Sequence, residues 1–168
     1  MNAPVLEARR VTKRFGGLTA VDGVDFTLPA GELRAIIGPN GAGKSTFFNV
    51  VSGFLAPTSG EIFFHGRRIT GLAPHRIVGL GIARSFQIPR PFASMTVLEN
   101  LVVPLEYVVH RGSLHTADTR AEAMEILGGM GLADKAETPS SRLSQVELRK
   151  LELARAMAAR PRLLISDE

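Results

Sequence analysis

The sequence predicts an α/β fold, in which short apolar strands alternate with helices. An apolar run at 33–37 is followed by a glycine-rich loop and then by a stretch at 45–55 that is poor in glycine and proline. This order indicates a buried strand, a turn and a helix. Short strand patterns at 61–64 and 82–86 flank a helical pattern at 74–78, which opens with a proline. Such alternation is typical of α/β domains.

Two further strands are expected ahead of the glycine-rich loop. Strand patterns cover residues 5–11 and 21–28, and Gly16 and Gly17 form a turn signal between them. A proline, an alanine and a glycine at 29–31 provide a second turn before the apolar run. The N-terminal part of the chain is therefore predicted to be rich in β-structure.

A helical segment interrupts the strand pattern. Thr96 and Glu99 form a capping-box signature ahead of an apolar run, which indicates the start of a helix. A second helix is predicted at 144–159, where Arg160 and Pro161 stop it. We interpret residues 90–142 as a helical insertion within a single domain that spans 1–168.

The bulk composition excludes several classes of protein. Hydrophobic residues make up 45% of the chain and charged residues 21%, values that are ordinary for a globular domain. There is no cysteine, so a disulfide framework and a thiolate metal site are both excluded. The N-terminus lacks the apolar core of a signal peptide, and no stretch approaches the roughly 20 apolar residues of a membrane span.

The charge pattern gives no sign of nucleic-acid binding. The net charge is +4, but the basic residues are dispersed, and one tyrosine with no tryptophan offers no stacking platform. The four histidines are also dispersed, without the spacing of metal ligands. We therefore expect neither a nucleic-acid partner nor a histidine metal site.

The glycine-rich loop provides the strongest chemical signal in the chain. It fits G-x-x-x-x-G-K-[ST], a loop that holds nucleotide phosphates between a strand and a helix. Its residues are Gly38, Pro39, Asn40, Gly41, Ala42, Gly43, Lys44, Ser45 and Thr46. Glycines let backbone N–H groups turn towards an anion, and the helix N-terminus adds a positive dipole end. Lys44 is expected to act catalytically on the β- and γ-phosphates, and the Ser45 hydroxyl to bind Mg²⁺. The alternative is an ordinary glycine-rich turn before a helix.

A second chemical signal lies at the end of the sequence. The apolar run at 163–165 leads through Ser166 to two carboxylates, Asp167 and Glu168. Beside a phosphate-binding loop, Asp167 is expected to hold Mg²⁺, directly or through water, and Glu168 to polarise the attacking water. Many strands end in acidic residues, so only the combination with the loop indicates nucleotide hydrolysis.

With these motifs the chain resembles the ATP-binding subunits of ABC transporters, and the resemblance covers all 168 residues. It also depends on the segments at 15–17, 83–87, 96–101 and 143–144. The runs at 15–21 and 83–92 resemble in particular the branched-chain amino-acid importer branch. The family resemblance implies a P-loop NTPase core of the RecA-like type, an N-terminal antiparallel β-subdomain and a helical insertion that contacts the membrane partner.

The resemblance also assigns roles to individual residues. Phe15 matches the aromatic position that stacks on adenine, and Val21 is placed among the ATP-binding residues. Gln87 matches the glutamine that reaches Mg²⁺ and the attacking water and couples to the membrane subunits. Asp167 matches the metal-binding aspartate, and Glu168 the catalytic glutamate. Without the glycine-rich loop, a buried core position would be the favoured interpretation of Phe15. For Gln87 the alternative is a polar residue at a strand end.

The signature motif departs from the family pattern. The usual Leu-Ser-Gly-Gly-Gln is here Leu143, Ser144, Gln145, Val146 and Glu147. In the family this loop contacts the γ-phosphate held by the opposite subunit of a head-to-tail dimer. A β-branched Val146 obstructs the close approach that glycine permits, and Glu147 brings negative charge near the phosphate. Ser144 and Glu147 also fit a capping box for the next helix, and both interpretations remain open at this point.

The sequence stops at Glu168, whereas the family continues with further conserved segments. The resemblance implies that the next core strand lies between the strand at 163–166 and the strand at 33–37. We therefore expect an incomplete cassette without full ATPase activity, either a truncated form or part of a longer chain.

These observations favour an ATP- and Mg²⁺-dependent ATPase that energises uptake of branched-chain amino acids. The implied partners are a second ATP-binding subunit, predicted to form a heterodimer, and transmembrane permease subunits. The predicted location is cytoplasmic, on the inner face of the cell membrane.

The alternatives are an ABC ATPase with another cargo, such as lipopolysaccharide export, and a regulatory or truncated protein that binds nucleotide without hydrolysing it. A non-transport ABC protein is disfavoured because tandem domains and coiled-coil insertions are missing, and a GTPase because Asn-Lys-x-Asp is missing.

Overall fold

The computed structural model describes residues 4–110 and 116–167. The chain divides into two compact units, Met1–Ile77 and Val78–Glu168. Strands and helices occur in both units, as the α/β prediction requires. Within the described residues, no helix is long and apolar enough to cross a membrane.

The first unit is built on a four-stranded antiparallel sheet with the order β2-β1-β3-β4. Its strands are β1 (Pro4–Phe15), β2 (Leu18–Pro29), β3 (Ser59–Phe64) and β4 (Arg67–Arg68). The predicted turn at 16–17 joins β1 to β2, and Phe15 pairs with Leu18 beside it. The two N-terminal strands are confirmed, and both are longer than the sequence pattern indicates.

Two helices accompany this sheet. They are α1 (Lys44–Val51) and α2 (Pro74–Gly79). The buried residues of α1 include Phe47, whose ring meets the edge of Phe26 on β2 with centroids 5.8 Å apart. Because α1 contacts both β1 and β2, its first turn and the loop before it are fixed against the sheet.

The predicted strand at 33–37 is wrong in this structure. Residues 32–39 form neither strand nor helix, and the side chains of Leu33 and Ile37 are 99% and 92% exposed. A parallel strand requires hydrogen-bonded neighbours, and no described strand pairs with this segment. The apolar pattern identifies a segment suited to a buried strand but does not supply the pairing partner.

The second unit contains a helical cluster. Its helices are α3 (Val97–Pro104), α4 (Thr116–Met130) and α5 (Gln145–Ala158), and a π-helical turn (Leu105–Val109) extends α3. Short 3₁₀ turns lie at Ala133–Lys135 and Ser140–Arg142. The helices meet through fully buried leucines, among them Leu101, Leu127 and Leu151.

The capping box predicted for α3 is confirmed. The Glu99 N–H donates to the Thr96 hydroxyl at 3.2 Å, and the Thr96 N–H donates to the Glu99 carboxylate at 2.8 Å. These bonds satisfy N–H groups at the start of α3 that the helix cannot pair internally.

A parallel strand pair completes the second unit. It consists of β5 (Ile82–Ser85) and β6 (Leu163–Ser166), with Ile82 opposite Leu163 and Ser85 opposite Ser166. Parallel strands end at the same edge, so the residues that follow β5 and β6 lie side by side. These residues include Gln87 and Asp167.

Candidate functional site

The backbone of the phosphate-binding loop requires glycine at Gly43. Gly41 and Gly43 have φ angles of +82° and +85°, in the left-handed region that other residues rarely adopt. A Cβ added to Gly43 would lie only 2.1 Å from the carbonyl oxygen of Ala20, whereas nothing lies within 4 Å of one added to Gly41. The loop at Gly43 therefore packs directly against the end of the preceding hairpin.

Helix α1 begins immediately after this loop. Gly43 is its N-cap residue, and no side chain caps the helix. The first turn of a helix has N–H groups without intrahelical acceptors, and together with the dipole they attract anions. Lys44, Ser45 and Thr46 therefore lie at the end of α1 that suits a phosphate.

The Lys44 side chain folds back over the loop. Its ammonium donates hydrogen bonds to the carbonyl oxygens of Gly38 at 2.6 Å and Pro39 at 2.8 Å. The Ala42 N–H in turn donates to the Pro39 carbonyl at 3.2 Å. The positive charge of Lys44 is thus held at the loop, where phosphate oxygens can replace the carbonyls as acceptors.

A cavity of about 230 Å³ adjoins the loop in the first unit. Val21, Gly43 and Lys44 are among its lining residues, and Val21 is buried in its wall. Phe15 does not line this cavity, but its side chain is 46% exposed, and the ammonium of Lys13 lies 5.1 Å from its ring centroid. The interpretation of Phe15 as a core residue is therefore wrong, and its ring is accessible to a stacking partner.

The strand end that carries Asp167 contains a partly buried ion pair. The Arg84 guanidinium on β5 donates to the Asp167 carboxylate at 2.6 Å, and the two side chains are 6% and 15% exposed. Glu168, the predicted catalytic residue, lies outside the described residues. The sequence analysis did not identify Arg84 as a neighbour of Asp167. The signal available in the sequence was a charged residue within a short apolar strand, which indicates that the charge needs a partner nearby.

Gln87 is exposed and lies just beyond the end of β5. It lines a cavity of about 160 Å³ in the second unit, together with Phe86, Arg149, Glu152 and Leu153. The last three residues belong to α5. Gln87 therefore lies in a recess between the end of a strand and one face of a helix.

The altered signature segment forms a complete capping box at the start of α5. The Ser144 N–H and hydroxyl each donate to the Glu147 carboxylate at 2.8 Å, and the Glu147 N–H donates to the Ser144 hydroxyl at 3.4 Å. Gln145 is the first residue of α5, and Val146 is 66% exposed. The capping interpretation is confirmed, and the Ser144 hydroxyl is already engaged within its own chain.

Glu147 is strongly stabilised in its charged form. The hydrogen bond from the Lys135 ammonium, followed by those from the backbone and hydroxyl of Ser144, lowers the pKa of Glu147 to about 2. The same ion pair raises the pKa of Lys135. A carboxylate beside Ser144 is therefore ionised throughout the physiological range.

The donor chemistry of the predicted metal ligands suits Mg²⁺. The Ser45 hydroxyl and the Asp167 carboxylate are hard oxygen donors, and Mg²⁺ in nucleotide sites is held by few protein oxygens together with phosphates. The described residues contain no group of three or more His, Cys, Asp or Glu that could hold a metal alone.

Comparison with known proteins gives a consistent result. Residues 21–168 match the family described as ABC transporter. A probable branched-chain amino acid transport ATP-binding protein, LivG of Archaeoglobus fulgidus, is 40% identical over 98% of this chain and 67% of its own length. A high-affinity branched-chain amino acid transport ATP-binding protein, BraF of Pseudomonas aeruginosa, is 40% identical over 100% of this chain and 70% of its own.

Solved structures agree with these relatives. A nucleotide-free ATP-binding cassette from an ABC transporter matches with a TM-score of 0.83 at 32% identity, over 98% of this chain and 69% of that one. A dimeric post-hydrolysis cassette bound to ADP and Pi matches with a TM-score of 0.88 at 27% identity, over 97% and 73%. The chain belongs to the ABC transporter family as an ATP-binding cassette.

Proposed function

We propose that this cassette energises the uptake of branched-chain amino acids, with Mg²⁺ as the cofactor of ATP. The phosphate-binding loop supports the ATPase part, because Gly43, Lys44 and the start of α1 together form a site for anionic phosphates. The cargo is proposed from the names of two relatives, the LivG and BraF proteins described above. Each is 40% identical to this chain over nearly its whole length.

Each side chain has a distinct part in the proposed reaction. The Lys44 ammonium exchanges the carbonyls of Gly38 and Pro39 for oxygens of the β- and γ-phosphates. Ser45 and Asp167 would hold Mg²⁺, which would supply positive charge that offsets the phosphates. Gln87 and Glu168 orient the attacking water, while the exposed ring of Phe15 stacks on adenine.

The ion pair at the end of β6 supports this assignment of Asp167. A buried carboxylate needs a positive partner, and the Arg84 guanidinium provides one at 2.6 Å. The ion pair fixes the direction of the carboxylate, whose oxygens are hard donors of the kind that Mg²⁺ prefers.

The proposed partners are a second ATP-binding subunit in a head-to-tail heterodimer and transmembrane permease subunits. A dimeric cassette among the similar structures supports the dimer. The altered signature supports a heterodimer, because a partner with an intact signature would complete the site at this chain's own phosphate-binding loop. The proposed location is the cytoplasmic face of the membrane.

Cargo-dependent ATPase activity tests this proposal. The cassette is assembled with the permease subunits in lipid vesicles, and hydrolysis is measured with leucine or lipopolysaccharide as the stimulating cargo. We expect stimulation by leucine, in the presence of its binding protein, and none by lipopolysaccharide. Stimulation by lipopolysaccharide alone would replace the import proposal with export.

A second candidate function is nucleotide binding without hydrolysis. It is favoured by one observation, the engagement of Ser144 by Glu147 at the signature position. ATP turnover in the assembled complex, compared with a Glu168→Gln variant, separates the two candidates. Equal turnover in the two proteins would favour the non-hydrolysing candidate.

A further inference from the structure

The segment that follows Gln87 has no regular secondary structure. Residues 86–92 form neither helix nor strand. Irregular backbone needs other partners for its N–H and C=O groups, because an unpaired buried group costs about as much as a lost hydrogen bond. In this segment the partners are side chains of neighbouring helices.

Both polar backbone groups of Arg90 are hydrogen-bonded to side chains of α5. Its N–H donates to the Glu152 carboxylate at 3.2 Å, and its carbonyl oxygen accepts a hydrogen bond from the Arg155 guanidinium at 2.7 Å. The same carboxylate oxygen of Glu152 also accepts from Arg155 at 3.2 Å. One ion pair on α5 thus satisfies both polar backbone groups of a residue more than 60 positions earlier in the chain.

A second and separate contact holds Phe92. Its N–H donates to the side-chain oxygen of Asn100 at 2.8 Å, and its carbonyl accepts from the Asn100 amide at 3.2 Å and the Ser140 hydroxyl at 2.9 Å. Asn100 and Ser140 are fully buried. These hydrogen bonds to the Phe92 backbone come from α3 and a 3₁₀ turn and do not involve Glu152, so the Phe92 amide provides an internal reference.

The burial of Glu152 indicates a specific role. Its side chain is only 6% exposed, and that of Arg155 is 19% exposed beneath the ring of Phe92, with 4.8 Å between the guanidinium and the ring centroid. Desolvation of an ion pair is costly unless further hydrogen bonds accompany it. In other proteins, replacing a buried ion pair by apolar residues is often neutral for stability. The presence of the Glu152–Arg155 pair therefore needs an explanation besides stability.

The location of the pair provides that explanation. Gln87 and Glu152 line the same cavity of about 160 Å³. Gln87 lies three residues before Arg90, the residue whose backbone is bonded to α5. Helix α5 starts at the signature position, with Ser144 as its N-cap. A movement of α5 is therefore transmitted to the backbone that carries Gln87.

We propose that Glu152 is a positioning residue, which together with Arg155 fixes the segment after Gln87 to α5 and so sets the position of Gln87 during ATP hydrolysis. The proposal deepens the proposed function and rests on the role given there to Gln87. Glu152 does not touch the reacting atoms, and its effect passes through the backbone of Arg90.

Amide hydrogen exchange and ¹⁵N relaxation of this chain test the anchor directly. In Glu152→Ala we expect the Arg90 amide to exchange about tenfold faster, because a charge-assisted hydrogen bond is lost. The Phe92 amide, held by Asn100, should keep its exchange rate, and the backbone order parameter of Gln87 should fall. An unchanged Arg90 amide, or an unchanged order parameter at Gln87, overturns the proposal.

Two further variants keep the test decisive. Should Glu152→Ala not fold, Glu152→Gln retains the shape and an oxygen acceptor but not the charge, and Arg90 exchange should rise about threefold. Glu122→Gln is the matched control, since Glu122 is a partly buried carboxylate paired with Arg160 and contributes no bond to the 86–92 segment. Faster Arg90 exchange in the control would contradict a specific anchor.

Turnover in the assembled transporter tests the consequence. We expect Glu152→Gln to lower kcat for ATP hydrolysis several-fold and to leave KM for ATP unchanged, because the phosphate-binding loop is not altered. A purely structural role would lower Tm without this separation, and a raised KM with normal kcat would overturn the proposal. If the wild-type transporter hydrolyses no ATP, the proposed function fails, whereas the exchange measurement still decides on the anchor.

Discussion

At the scale of single residues, backbone geometry and local charge decide what the candidate site can do. Gly43 has no room for a side chain, and Lys44 is held by two carbonyl oxygens of its own loop. Ser144 and Glu147 bond to each other and cap α5. The loop is therefore followed by the helix that its motif predicts but is not preceded by the predicted strand, whereas the altered signature caps its own helix.

Substitution of Gly43 tests the close approach of the loop to Ala20. We expect Gly43→Ala to cost at least 1 kcal/mol more stability than Gly41→Ala, because both residues have a positive φ but only Gly43 also meets a backbone atom. Gly41→Ala should cost about 1–2 kcal/mol from backbone strain alone. Urea unfolding of both variants provides the measurement, and equal losses would contradict the account.

The pKa of Glu147 predicts a pH-dependent contribution to stability. The folded protein lowers this pKa from 4.5 to about 2, so the contribution is present above pH 4.5 and is lost as pH falls towards 2. The Tm difference between wild type and Glu147→Gln should therefore be largest near pH 7 and shrink at pH 3. A difference that stays constant between these pH values would exclude the ion pair as its source.

At the scale of elements, the signals that act over a few residues predicted the structure well. The capping boxes at Thr96 and Ser144 involve partners three residues apart, and both are present. The strand at 33–37 was predicted wrongly because strand formation depends on a neighbour elsewhere in the chain. The pairs Arg84–Asp167 and Arg90–Glu152 are 83 and 62 positions apart, so a local pattern can mark a single residue as unusual but cannot identify its partner.

Two leucine substitutions test the division between packed and unpacked elements. Leu101 on α3 is fully buried, so Leu101→Ala should cost about 2–5 kcal/mol of unfolding free energy. Leu33 is 99% exposed, so Leu33→Ala should change stability by less than about 0.5 kcal/mol. Denaturant unfolding compares the two variants, and a large loss for Leu33→Ala would show that the segment at 33–37 is packed in solution.

At the scale of the whole molecule, the proposed function makes the cassette one half of a shared ATPase. The chain spans 67–70% of the length of the two curated relatives described above. In the proposed heterodimer, this chain's phosphate-binding loop faces the partner's signature, and its altered signature faces the partner's loop. The two ATP sites are therefore expected to differ in strength.

Lysine substitutions in each subunit test that asymmetry. We expect Lys44→Ala to reduce ATPase activity of the heterodimer more than the equivalent substitution in the partner, because the site at Lys44 uses the intact signature. The measurement is steady-state phosphate release from each singly substituted heterodimer. Equal losses would mean that the altered signature is as effective as the partner's.

Equilibrium binding of ATP to this chain tests the central claim most directly. Isothermal titration with Mg²⁺ present should show one ATP per chain, and Lys44→Ala should weaken binding about tenfold or more, because a charged partner of the phosphates is removed. A matched Lys150→Ala variant on α5 should bind normally. Absence of ATP binding by the wild type, or equal affinity of Lys44→Ala, would contradict the assignment of the loop as a nucleotide site.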